Sequence, residues 1–120
     1  MANTSVIRVA GPTYALSITA SSHTAVTIND STNDQVNYAA FLNLGTVAVA
    51  INLSALWNAS APAAAAATLP VDGTPGSYVL PPLMTFPIVL AVPTTPFSMT
   101  AIGASAGPSL VYVTPVADQS

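Results

Sequence analysis

The sequence predicts an all-β fold, a single-domain β-sandwich or jelly-roll-like barrel of about eight short strands, on three observations. Large apolar residues alternate with small or polar ones in short runs, as in Tyr14-Ala15-Leu16-Ser17-Ile18 and Val47-Ala48-Val49-Ala50-Ile51. On an extended chain that spacing gathers the large side chains on one face. Proline and glycine break the runs at intervals suited to strands and their turns, and no segment carries an apolar stripe at helical period.

Taken in order, residues 4–10 and 14–19 read as two strands separated by Gly11-Pro12, Ser21-Ser22 as a turn, and residues 24–28 as a third strand. Residues 29–35, Asn-Asp-Ser-Thr-Asn-Asp-Gln, gather side chains that bond their own backbone in turns, so a surface loop is expected. Residues 36–53 are expected to form a β-hairpin at the centre of the domain. Two apolar runs meet there at Leu44-Gly45-Thr46, and Gly45 supplies the freedom to reach φ > 0 that a short reversal needs. Residues 54–68 are a small-residue loop or short helical insertion: Ala63 to Ala67 favour helix, but Pro62 precedes them and no apolar stripe accompanies them. Val71-Asp72-Gly73-Thr74-Pro75-Gly76 is a strong turn signal. Residues 78–83, 86–92, 97–102 and 109–114 are four further strands, divided by proline-rich joints. Proline cannot donate to a ladder and so pushes these strands toward edges or bends.

Length and composition bound the function. At 120 residues the chain makes one domain, residues 1–120, that buries roughly 65% of its unfolded surface and needs no covalent staple. It has no cysteine, hence no disulfide framework and no thiolate ligand or nucleophile. Apolar residues make up 52%, but the best membrane windows are interrupted by Asn43, Gly45 and Asn52, or by Pro81, Pro82 and Pro87, so neither reads as a spanning helix. The N-terminus has no basic segment followed by an apolar run, which argues against a secretory signal and for an intracellular start. Only 4% of residues are charged, where an ordinary soluble domain has about 25%. Weak self-repulsion suits a chain that packs against neighbours. Arg8 is its only Lys or Arg and the net charge is −3, so binding to a phosphate backbone lacks its main driving term.

Few motifs offer chemistry. Gly103-Ala104-Ser105-Ala106-Gly107 matches the G-x-S-x-G nucleophile elbow, but that motif needs a strand turning into a helix. Pro108 and another strand follow here, and the sole histidine, His23, lies far upstream, so a hairpin loop is expected. Asp30 to Asp34 place oxygen ligands as the start of a calcium loop does, yet the sixth and twelfth positions hold Gln35 and Phe41 instead of Gly and Glu. His23 lacks an evident acid–base partner and reads as a strand-edge residue. Four Asn-x-Ser/Thr sequons, at Asn3, Asn29, Asn52 and Asn58, read as products of an Asn/Ser/Thr-rich chain. No catalytic residue, cofactor or metal is expected.

Two stretches carry a resemblance: Leu69-Pro70-Val71-Asp72-Gly73-Thr74-Pro75-Gly76-Ser77-Tyr78-Val79-Leu80-Pro81, continuing through residues 97–103 and 110–115, and the central Phe41-Leu42-Asn43-Leu44-Gly45-Thr46-Val47-Ala48-Val49. They resemble the small all-β structural proteins of tailed bacteriophages. The resemblance implies a virion component, made in the host cytoplasm, with no enzymatic residues to carry over. Within that class, capsid decoration or cement proteins are jelly-roll or sandwich domains, often trimeric, seated where major capsid subunits meet. The implied partners are copies of the chain itself, a trimer first, and a major capsid protein, with no nucleic acid and no membrane. Arg8 and Trp57 are the candidate assembly contacts, because interfaces favour arginine and aromatic residues. The alternatives are a tail, neck or fibre component, or a carbohydrate- or receptor-binding β-domain that uses Trp57 and the tyrosines as a stacking platform.

Overall fold

The computed structural model describes residues 3–30, 36–56, 63–93, 95–105 and 109–119; within them there are nine strands and no helix. The strands are β1 (Asn3–Val9), β2 (Tyr14–Ile18), β3 (Val26–Ile28), β4 (Tyr38–Asn43), β5 (Val49–Ala55), β6 (Tyr78–Leu80), β7 (Ile88–Ala91), β8 (Phe97–Gly103) and β9 (Ser109–Gln119). They form two sheets in which all pairings are antiparallel, the arrangement of a β-sandwich.

The first sheet runs in the order β1-β9-β4-β7, with β2 also paired to β9. β2 pairs with residues 109–113 of β9 and β1 with residues 116–119, so the two short strands lie end to end along one side of the long one. Pro115 falls between these two pairings. The N and C=O of one residue point to the same side of a strand, and the Pro115 carbonyl accepts from the Ala10 N–H at 2.9 Å. Its missing N–H therefore faces the corner where β1 passes into β2 and no ladder bond is demanded. This is how an interior strand tolerates proline and extends to Gln119, past the predicted end at Thr114.

The second sheet runs β3-β8-β5-β6. Its inner face carries Val49, Ile51, Phe97, Met99 and Ala101, which meet Leu16, Ile18, Ala39, Phe41, Val111 and Val113 of the first sheet in one buried core. The alternation read in the sequence is thus the alternation of the fold: Leu16 and Ile18 are buried while Ala15 and Ser17 are exposed.

The central hairpin does not form. β4 and β5 belong to different sheets: β4 pairs with β7 and β9, and β5 with β6 and β8. Residues 44–48 carry the chain from one layer to the other, and the buried Asn43 side chain shapes that corner. Its Nδ2 donates to the carbonyls of Val47 (2.9 Å) and Pro81 (3.1 Å), and its Oδ1 accepts from the Gly45 N–H (3.0 Å) and the Ser109 hydroxyl (2.9 Å). Gly45 is needed here for a different reason than expected. Its φ is not positive; instead, a Cβ would collide with the Cα, Cβ and Oγ of Ser109. The glycine that does take φ > 0 is Gly73, at 79°, in the predicted turn closed by the Val71–Thr74 bridge.

The alanine run is not helical either. Residues 54 and 55 finish β5, and residues 63–68 form an irregular strap over the outer face of the second sheet. That face carries Asn52, Ser98 and Thr100, at paired register positions along β5 and β8. Ser98 Oγ accepts the Ala64 N–H at 2.9 Å, and Thr100 Oγ1 (2.6 Å) and Asn52 Nδ2 (3.0 Å) donate to the Ala65 carbonyl. The Ala67 N–H reaches Ser22 Oγ at 3.0 Å. So short a run gains little from helix formation, and side chains no larger than methyl let its backbone come within reach of the hydroxyls beneath. β6 and β7 are also shorter than expected, ending before Pro81 and Val92.

Candidate functional site

The residues singled out for chemistry do not come together among the described residues. His23 leads into β3; its backbone N–H donates to the Ala101 carbonyl (2.7 Å) and its Nδ1 is 2.6 Å from the Thr24 carbonyl, where it acts as donor. Ser105 follows the end of β8, and β9 begins at Ser109 in the other sheet. β8 and β9, on either side of the G-x-S-x-G stretch, thus lie in different sheets and do not form the expected hairpin, nor does a helix follow; residues 106–108 lie outside the described residues. Asp30 Oδ2 accepts from Thr95 Oγ1 at 2.8 Å, while the rest of the acidic stretch, residues 31–35, lies outside the described residues. The described residues contain no cluster of three or more His, Cys, Asp or Glu that could hold a metal ion. Nor do they contain a helix long and apolar enough to cross a membrane.

What the fold does build is an apolar surface on the outer face of the first sheet. Strands β4, β7 and β9 carry large or apolar residues at both parities, Tyr38-Ala39-Ala40-Phe41-Leu42, Ile88-Val89-Leu90-Ala91 and Leu110-Val111-Tyr112-Val113. One parity fills the core. The other is left facing outward, where a one-sided sheet ordinarily carries polar residues. A shallow groove of about 350 Å³ crosses this face, lined by Ile7 and Val9 from β1, Ala40 and Leu42 from β4, and Tyr112, Thr114 and Val116 from β9, with Thr13 and Pro87 at its margins. The register places Val9 beside Val116, Leu42 beside Tyr112, and Ala40 between Thr114 and Val89.

The groove is uncharged along its whole lining. Its two threonine hydroxyls, Thr13 and Thr114, are 2.7 Å apart and hydrogen-bond each other, leaving the Tyr112 hydroxyl as its other side-chain polar group. Exposed apolar side chains continue the surface on either side: Val9 is 72% exposed, Tyr38 39% and Val89 41%. Beyond Pro87, Phe86, Leu83 and Leu44 are exposed at the rim, where the N–H groups of Leu83 and Met84 bond the Gly45 and Asn43 carbonyls.

Of the two predicted contacts, Arg8 lies on β1 opposite Ala117, between Ile7 and Val9. The alternation that turns its two neighbours to the groove turns Arg8 to the other side of the strand. Trp57 lies outside the described residues. The groove residues themselves were missed, although the two-parity apolar runs of β4, β7 and β9 are a readable signal for a strand covered on both faces. No protein-family model, curated protein or solved structure matches the chain.

Proposed function

We propose that the chain is a non-enzymatic structural subunit that works by burying the outer face of its first sheet against other subunits, as a decoration or cement protein of a phage head. The uncharged apolar face carries this reading. Monomeric proteins rarely leave contiguous apolar patches of more than a few hundred Å² in water, and patches of that kind mark interaction surfaces. Burying the groove lining requires no charge to be desolvated, which is the usual obstacle to close packing of polar surfaces. The resemblance to phage structural proteins supplies the setting: a virion, assembled in the host cytoplasm, with a major capsid protein and copies of the chain as partners.

The groove favours this over the carbohydrate-binding alternative. Sugar recognition requires several converging donors and acceptors beside an aromatic ring, whereas the groove offers three side-chain hydroxyls, two of them bonded to each other. The test is a particle lacking the chain. It should break at lower temperature or lower ionic strength than the complete particle and regain its resistance when purified protein is added back. Unchanged resistance would overturn the cement role, and a requirement for only a few copies at one vertex would point to a tail, neck or fibre component.

A further inference from the structure

We infer that Asp72 is a site of spontaneous backbone modification, where aspartate converts to isoaspartate through a cyclic imide closed by the Gly73 nitrogen, whatever the chain assembles with. The turn between the strap and β6 supplies four observations that point to it.

The first is the dipeptide. Attack by the next residue's backbone nitrogen on an aspartate Cγ closes a five-membered ring, an intramolecular reaction limited by how closely the nitrogen can be approached. Glycine hinders that approach least and gives the chain the most freedom to rotate into it. Asp72 is followed by Gly73, whereas Asp30, Asp34 and Asp118 are followed by Ser31, Gln35 and Gln119.

The second is exposure. Residues 70–76 are exposed in an unbroken run, and a Cβ built on Gly73 would meet no atom within 4 Å. Nothing shields the nitrogen.

The third is bonding. The turn is closed by the Val71 N–H donating to the Thr74 carbonyl (3.1 Å) and the Thr74 N–H donating to the Val71 carbonyl (2.8 Å). Neither bond uses a reacting group, and among the described residues none bonds the Gly73 N–H or the Asp72 carboxylate. Asp30 differs, because the Thr95 hydroxyl holds its Oδ2 at 2.8 Å, and so does Asp118, which lies within β9 opposite Ile7.

The fourth is the small size of the unit that must move. The Ser77 N–H donates to the Thr68 carbonyl (2.8 Å) and the Thr68 N–H to the Ser77 hydroxyl (3.1 Å), pinning the base of the excursion. Rotation at the tip therefore gives up at most the two bonds between Val71 and Thr74. Local openings of that kind cost far less than global unfolding.

The step balances without any oxidant or reductant. The Gly73 nitrogen bonds to Asp72 Cγ, and the hydroxyl of the protonated carboxyl takes the nitrogen's proton and leaves as water. Water then adds to one of the two imide carbonyls. Breaking the new Cγ–N bond restores aspartate, whereas breaking the bond between the Asp72 main-chain carbonyl carbon and the nitrogen leaves isoaspartate. One water is lost and one regained, so the mass is unchanged. The main chain now runs through Cβ and Cγ, one methylene longer, and the bridge between Val71 and Thr74 loses its spacing.

An endoprotease that cuts before aspartate but not before isoaspartate reads the conversion. It cuts the fresh chain before Asp30, Asp34, Asp72 and Asp118, so that residues 34–71 and 72–117 appear as separate fragments. During incubation of the folded chain at neutral pH, an uncut fragment 34–117 should accumulate with the intact mass unchanged, at a rate within about tenfold of that in the urea-unfolded chain. Fragments left uncut at the other three aspartates should lag behind it. Gly73→Asn, which keeps a residue able to hold φ > 0 but crowds the nitrogen, should slow the accumulation by about tenfold or more. Conversion in the unfolded chain with no fragment 34–117 from the folded one would overturn the inference, as would a Gly73→Asn chain that converts as fast as its parent.

Discussion

Asn43 is the residue on which the connection between the two layers turns. It is fully buried and makes four hydrogen bonds, two through Nδ2 and two through Oδ1, to Val47, Pro81, Gly45 and Ser109. Each such bond contributes about 1 kcal/mol net, and a buried partner left unsatisfied costs about 1–3 kcal/mol. Asn43→Ala is therefore expected to destabilise the fold by about 3 kcal/mol or more, read as a fall in melting temperature of roughly 10 °C for a chain of this size. Leu83 carries the opposite lesson. It takes φ of 55° while 65% exposed, so its side chain is held in a conformation that L-residues avoid and repays little through burial. Leu83→Gly should raise stability by up to about 1 kcal/mol, since the relief of about 1–2 kcal/mol outweighs the added freedom of the unfolded chain. A lower melting temperature for this variant would show that Leu83 makes a contact worth more than its strain.

At the scale of elements, the strap is held by side chains of the sheet beneath it. Thr100→Val keeps the shape of the side chain and removes the hydroxyl that bonds Ala65, so it should cost about 1–2 kcal/mol and speed hydrogen exchange at the Ala64 amide. Unchanged exchange there would mean that the strap is held by apolar contact instead. The strap also marks where reading the sequence stopped working. Strand positions were legible because alternation is a local signal, and β1, β2, β8 and much of β9 fall where the pattern puts them. The pairing of β4 and β5 was not legible, since two adjacent apolar runs look alike whether they lie side by side in one sheet or face each other across a core. What separates them is the Asn43 corner and the collision a side chain at 45 would make with Ser109, both set by residues more than sixty positions apart in the chain. The alanine run misled for a related reason: intrinsic helix preference is small, and the hydroxyls of Ser98 and Thr100 that hold the strap lie more than thirty residues away.

For the whole molecule, the scarcity of charge and the two-parity strands are one property seen twice. A sheet whose outer face is apolar and a chain in which 4% of residues are charged both describe a surface suited to being covered. The predicted contacts Arg8 and Trp57 came from residue types that interfaces favour, whereas the groove emerges from the joint register of β1, β9, β4 and β7, which no short window of sequence contains. For the proposed cement role, the most direct measurement is the copy number of this chain, by quantitative mass spectrometry, in purified phage particles assembled in its presence. A subunit that stabilises a shell by covering its faces should be present in many copies, in fixed ratio to the major capsid protein. Its absence from intact particles, or a handful of copies in each, would contradict that role.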